Sequence, residues 1–346
     1  GITIAADGVS LKGLTDQNRE TGILSDASGL TDQTINDLSL TDVEATDNSS
    51  AGFKLDEDHA IDGLVIADSQ FDGNGFFGFN AGPNAAGLND VSVTNTSFND
   101  NANKGFFAQT TVTNASFVGV TVDSSGTIDT ASDLPAGGVS SNSANVGFEI
   151  NTYAAGAVGD NITVDDLTVT NSGTDVDDSS KNAPPRGQAV AILGPKLSNV
   201  TVENSSISTN GEVALGLGGS DGDNFTVSNN AITGPEGVTL FGAMTNVVVK
   251  DNTITTEDPG GTTDAGPRFA IGAFGDVADN VSASNNTVAT NGDAVVQLVD
   301  QKASFFGDQD NEVLGNDADN IISGGKGADT LIGGAGLDTA VFDGVR

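Results

Sequence analysis

The chain has 346 residues, 48 of them acidic and 12 basic, giving a formal charge of −36; this argues against nucleic acid or an anionic membrane surface as an unassisted partner. Cysteine is absent and His59 is the single histidine. That leaves no disulfide framework, thiolate metal site, cysteine nucleophile or multi-histidine zinc site. No apolar run reaches the ~20 residues that cross a bilayer, so membrane insertion is not expected.

Glycine, at 46 of 346 residues, and an acidic set of 39 Asp but only 9 Glu describe a turn-dense chain. A helical acidic protein favours Glu, because Asp competes with the helix backbone and prefers turns. The apolar fraction of 36% alternates with polar residues. The composition therefore predicts an all-β fold with a thin aliphatic core.

In chain order, residues 1–35 (ITIA, VSLKGL, TGIL) read as a first rung without a helical cap. A phrase then recurs: Asn or Asp, an alternating apolar pair, an Asn-rich turn and a second alternating pair. It reads NDLSLTD from Asn36, NDVSVTNTSF from Asn89, DNITVDDLTVTN from Asp160, SNVTVENSSIS from Ser198, DNFTVSNNAIT from Asp223, TNVVVKDNTIT from Thr245 and DNVSASNNTVA from Asp279. Weaker copies start at Ile61 and Phe117. The first apolar seats are expected at Leu38, Leu64, Val91, Val118, Ile162, Val200, Phe225, Val247 and Val281, at intervals of 26, 27, 27, 44, 38, 25, 22 and 34.

A second apolar run lies in each interval: GFKL from Gly52, GFFGF from Gly75, GFFAQ from Gly105, GFEI from Gly147, and then AVAIL, VALGL, VTLFGA, FAIGAF and AVVQLV. Two or three short strands per ~22–27 residues, separated by Gly/Asn/Asp turns, form one rung of a parallel β-helix. One rung cannot bury its inward side chains, but stacked rungs build a continuous core. The Asn residues read as a stacked ladder that caps the turn backbone. About twelve rungs at ~4.8 Å each give a rod of about 55–60 Å over residues 1–312. The long intervals predict insertions at 123–145, 172–187 and 256–268.

From Gly315 the period falls to nine: GNDADNIIS, GGKGADTLI, GGAGLDTAV, then FDGVR. Glycines allow the tight turns through which backbone carbonyls approach a cation, and Asp adds the hard oxygen that suits Ca²⁺. The expected calcium donors over 313–346 are Gly324, Gly325, Gly327, Asp329, Gly333, Gly334, Gly336 and Asp338, with Asp317, Asp319 and Asn320 in the degenerate first copy. Ile322, Leu331 and Ala340 are expected to point inward. The segment resembles the RTX calcium-binding β-rolls of type I secreted proteins. That resemblance implies Ca²⁺ as the bound ion and export to the exterior or surface of a Gram-negative bacterium. It also implies that the parent polypeptide continues beyond Arg346.

A right-handed parallel β-helix followed by such repeats resembles the mannuronan C5-epimerases and, more loosely, the pectate-lyase-like superfamily. The epimerases carry a Tyr-Gly-Phe-Asp-Pro-His run with a second Asp one rung on. Here GFKLDEDHAIDG from Gly52 and FDGNGFFGF from Phe71 are the nearest text. The resemblance matches His59 and Asp72 to the family's His and second Asp, and Asp56 or Asp58 to its first. The Tyr and Pro have no counterpart. Read from the residues, His59 is either a general acid or base or a surface histidine in the acidic turn Asp56-Glu57-Asp58-His59. Tyr153, several rungs away, is a second catalytic candidate or a structural residue. Arg186 and Arg268, with Lys181 and Lys196 nearby, form a candidate cationic saddle for an acidic glycan, or else bond loop carbonyls and Asp residues.

Two functions follow. The first is a non-enzymatic, calcium-stabilised extracellular segment of a larger protein (an adhesin, S-layer-like coat or matrix filament), with polysaccharide or copies of itself as partners. The alternative is a polysaccharide-modifying enzyme, a mannuronan C5-epimerase or polyuronate lyase. A groove carrying Tyr, His, Arg or Lys on adjacent rungs separates them.

Overall fold

Asn, Asp and Gly set the corners of this molecule. In a computed structural model that describes residues 1–126, 146–173, 187–209, 211, 213–257, 270–274, 281–284, 286–291, 297–300, 312–314, 321–323, 330–333 and 336–341, one row of corners holds Asp37, Asp90, Asn114, Asn161, Asn199, Asn224 and Asn246. All have φ between 51° and 61°. A second row holds Asp42, Asp68, Asn95, Asp166, Asn204, Asn229 and Asp251, again with positive φ. The left-handed region is costly for most L-residues and is visited chiefly by Gly, Asn and Asp. The excess of Asp over Glu follows from these corners.

Between corners the strands enter three wholly parallel sheets of 13, 12 and 6 strands, and no helix occurs among the described residues. Strands consecutive in sequence lie in different sheets, so each pairs with its equivalent one rung away. Ala51–Leu55, Phe77–Ala81, Lys104–Ala108, Val146–Asn151 and Gln188–Leu193 run side by side in the first sheet. Thr34–Thr46, Ala60–Ala67, Gly87–Thr94 and Val112–Val118 do so in the second. Thr121–Asp123, Thr168–Thr170 and Ser206–Ser208 open the third. This is the all-β parallel β-helix expected from the repeat. The opening strands Ile2–Ile4, Ser10–Gln17 and Thr21–Ser25 pair onto the following rungs.

The register corrects one seat. Leu38, Leu64 and Val91 align with Ala115, not Val118, and Ala115 in turn aligns with Ile162. Val118 pairs with Thr94 and Asp165. Val118-Gly119-Val120 imitates an alternating apolar pair, but Val118 falls in the opposite phase to the buried Ala115 and Phe117, just before the Gly119 corner at φ 64°. The small Ala115, buried in the core, carries too weak a signal to fix the register. At two of the expected insertions the first residues still belong to rung strands. Asp123 ends the strand Thr121–Asp123, and Thr256 lies within Thr253–Glu257; residues 127–145, 174–186 and 258–269 lie outside the described set.

The core is a file of side chains stacked at the rung spacing. Phe53, Phe79, Phe106 and Phe148 follow one another at centroid separations of 5.0, 4.7 and 5.0 Å. Val190, Leu215, Val238 and Ile271 continue that file. Two buried amide ladders flank it. In one, Asn48 donates to Asn74 and Asn74 to Asn101; in the other, Asn230 donates to Asn252 and Asn252 to Asn286. Gly78 faces the first ladder so closely that a Cβ there would lie 2.5 Å from the Gly105 carbonyl oxygen.

At the C-terminal end the three-residue strands of the nine-residue repeats alternate between sheets. Ile321–Ser323 and Thr339–Val341 join the first sheet, while Thr330–Ile332 joins the second. Leu331 packs partly against the core as expected. Ala340 is exposed, a correction to its inward placement: its strand is the last of its sheet.

Candidate functional site

Strict alternation would place Lys104 and Phe106 on one face of the first sheet. The pairing instead passes from Ala51↔Phe77 directly to Phe53↔Phe79, and from Phe77↔Lys104 to Phe79↔Phe106, leaving the intervening glycine unpaired. This irregularity separates residues two apart. Phe106 enters the main core, whereas Ala51, Phe77 and Phe107 form a separate apolar cluster, with Phe76 packed against it. Phe77 stacks on Phe107 at 5.5 Å, and the Lys104 Nζ stands 4.6 Å from the Phe107 ring centre. These residues make up the outer face of the sheet.

On the next rung, Glu149 is the register partner of Phe107. Its Oε2 takes a hydrogen bond and ion pair from Lys104 Nζ. Lys104 is 0% exposed and Glu149 5%. Burying two charges is tolerated only when they are paired and their remaining bonds are met. The second Glu149 oxygen accepts from Asn151 Nδ2 at 2.9 Å, and Asn151 Oδ1 accepts the Tyr153 backbone N–H at 3.0 Å. Asn80 lies one rung before this pair and Gln188 one rung after it. Both present a buried side-chain oxygen with no hydrogen-bond partner. The site thus combines a cation, a carboxylate, an aromatic flank and two unsatisfied amides across four adjacent rungs.

Neither Lys104 nor Glu149 was among the candidates read from sequence. Their signal lies in the G-F runs, where KGFFA and VGFEI each put a charge into an otherwise apolar strand. Of the residues matched by resemblance, His59 and Asp72 are not brought together: the strand Ala60–Ala67 and a corner intervene. His59 is also not a surface residue. It is 5% exposed, and its Nδ1 accepts the Ala27 N–H at 3.1 Å. That bond fixes the ring against the residue that follows Asp26. Asp58 occupies a left-handed corner at φ 61°, and Asp56 lies 3.6 Å from Lys54 Nζ.

Asp72 accepts the Asn99 N–H at 2.7 Å and the Ser97 hydroxyl at 2.9 Å. Burial nonetheless pushes its carboxyl above the usual range. It is a member of a corner ladder. Tyr153 is 56% exposed, so it fills no core position, and its backbone is tethered to the Glu149 neighbourhood. Lys196 is exposed; Arg186, Arg268 and Lys181 lie outside the described residues. So do Gly324, Gly325, Gly327, Asp329, Gly334, Asp317, Asp319 and Asn320. Of the expected calcium donors, Gly333, Gly336 and Asp338 are described. The Asp338 carboxylate folds against Gly333, with Oδ2 2.2 Å from where a Cβ would stand, and Gly336 has φ 113°.

A parallel β-helix bearing a charged, aromatic-flanked outer face is the class that fold and site define. No protein-family model matches the chain, and no curated protein matches it. Among solved structures it is similar to the alginate lyase of Paenibacillus sp. str. FPU-7, at 12% identity over 84% of this chain and 97% of that one, with a TM-score of 0.49. It is also similar to the Azotobacter vinelandii mannuronan C-5 epimerase AlgE4 A-module, at 15% identity over 86% and 78%, with a TM-score of 0.40. Likeness at this level carries no activity to this chain.

Proposed function

We propose that the chain binds an acidic polysaccharide on the outer face of its first sheet and modifies it, as a uronan epimerase or lyase. The observation that carries this reading is the buried Lys104–Glu149 pair between Phe107 and two unsatisfied amides. Removing the proton beside a uronate carboxylate requires that carboxylate to be neutralised and a base to stand close. Lys104 supplies the positive charge. Glu149 stands on Lys104 where a substrate carboxylate would pair. Exchange of the two carboxylates on Lys104 releases Glu149 to take the C5 proton. Delivery of a proton from water to the opposite face of C5, with Glu149 giving up its own to solvent, inverts the sugar, whereas cleavage of the C4–O4 bond, with a proton passing to the departing O4, leaves an unsaturated end. Phe77 and Phe107, 7% and 2% exposed, wall the pair together with the buried oxygens of Asn80 and Gln188, and the reading requires this layer to part for a sugar ring to enter.

Incubation with alginate and with pectate, followed by assays for unsaturated ends and altered uronate composition, tests this reading. Activity lost in both Lys104→Met and Glu149→Gln, with the β circular-dichroism signal retained, is the expected outcome. An inactive parent chain that leaves both polymers unchanged overturns it.

A second reading is a non-enzymatic, calcium-stabilised segment of a secreted or cell-surface protein. It is favoured by the way the strands of the nine-residue repeats continue the same two sheets as the rod. Under either reading the nonapeptide turns are proposed to bind Ca²⁺, and type I secretion to the cell exterior is the proposed route.

A further inference from the structure

One cluster of metal-ligating side chains lies outside this site. Ser25 and Leu55 are register partners on adjacent rungs. The residues that follow them, Asp26 and Asp56, therefore stand one above the other at the same corner. The Asp56 N–H donates to the Ser25 carbonyl at 3.0 Å, which fixes this stacking. His59 closes the corner, with Nδ1 3.9 Å from Asp26 Oδ1. One ligand atom from each of the three lies within 4.8 Å of the others.

We propose that Asp26, Asp56 and His59 form a binding site for a divalent transition cation of the zinc class, independent of the glycan site. Two stacked carboxylates repel, and Lys54, 3.6 Å from Asp56, is the one cation bonded to them by a side chain among the described residues. Hydrogen bonds from the Ser28 side chain and from its N–H, the latter at 2.9 Å to Oδ1, hold the Asp26 carboxyl below the usual carboxylate range. His59 is buried, and the Nδ1 lone pair accepts the N–H of Ala27, the residue that follows Asp26, which holds this nitrogen 3.9 Å from Asp26 Oδ1. Nε2 then keeps the ring proton. The ion takes the place of the Ala27 N–H on Nδ1 and of Lys54 on Asp56.

Zinc–ligand distances of about 2.0–2.2 Å need ligand atoms roughly 3.5 Å apart. The half-exposed Asp26 and Asp56 can close that gap by side-chain rotation while His59 stays fixed. An imidazole selects this class over Ca²⁺ or Mg²⁺, which take oxygen ligands.

Because His59 is the single histidine, its imidazole resonances are unique in the intact ¹⁵N-labelled chain. Zn²⁺ should be titrated with Ca²⁺ present in excess to occupy oxygen-only sites. The expected result is a large shift of the Nδ1 signal that saturates near equimolar Zn²⁺. Asp26→Asn and Asp56→Asn should each weaken it tenfold or more while leaving the backbone amide spectrum native. The proposal is overturned if Zn²⁺ moves other signals but not the imidazole, or if both substitutions leave the titration unchanged.

Discussion

At the scale of single residues, the inner ladders convert a cheap polar side chain into a structural requirement. Asn74 Oδ1 accepts both the backbone N–H and the side-chain amide of Asn48, at 3.1 Å each. Asn74→Ala orphans those buried donors, at about 1–3 kcal/mol for each group left unmet; urea unfolding checks it. Lys104→Met leaves Glu149 buried without its partner and should destabilise by about 3–5 kcal/mol. The double variant Lys104→Met/Glu149→Leu should recover most of that loss. Two kinds of carboxylate respond to pH in opposite senses. Hydrogen bonds from Ser198 and Asn199 hold Asp160 below the usual carboxylate range. Its contribution is therefore present above the unfolded range and lost as pH falls through the folded value. Burial raises Asp72, so its ionisation weakens the fold as pH rises through that range. Asp72→Asn should thus gain more stability over the parent at pH 7 than at pH 3, read from thermal midpoints.

At the scale of elements, one rung is made specific by where it has no room. A Cβ on Gly78 would meet the Gly105 and Phe71 carbonyl oxygens at 2.5 and 2.8 Å, whereas Gly29 has nothing within 4 Å. Gly78→Ala should lower the melting midpoint clearly, and Gly29→Ala should leave it within the ±0.5 kcal/mol usual for surface changes. Much of this level is legible in the sequence, because the rung phrase and the G-F runs each mark a strand. Two things are not. Ala115 is too small to announce its seat, so the alternation points to Val118 instead. The outer face of the first sheet is hidden by the unpaired glycine in each early strand. A single unpaired residue moves every later side chain to the other face, and strict alternation therefore assigns Lys104 to the side of Phe106. The charges were visible; their common face was not.

At the scale of the whole molecule, the rod behaves as a one-dimensional stack in which each rung contacts its neighbours. Damage and ligand stabilisation should therefore stay local. The expected outcome of hydrogen exchange with and without a calcium chelator is that protection over residues 315–346 collapses without the ion. Protection over the strands from Ala51 to Thr256 should be unchanged, since those rungs carry their own Phe and aliphatic file. Equal protection of 315–346 in both conditions would show that calcium does not hold the tail. The formal charge of −36 adds self-repulsion that salt screens over a Debye length of ~8–10 Å, so chelation effects should be measured at constant ionic strength.

Tyr153 gives the molecule an optical property. Tryptophan is absent and this is the only tyrosine, so ultraviolet emission excited near the tyrosine band comes from one ring. That ring is largely in water, and its backbone amide is bonded to Asn151, which in turn bonds Glu149. The unlabelled protein therefore carries a native fluorophore two hydrogen bonds from the proposed glycan site. A polysaccharide settling there would quench or shift it, while events at the zinc-class corner or the calcium tail, several rungs away, would leave it unchanged.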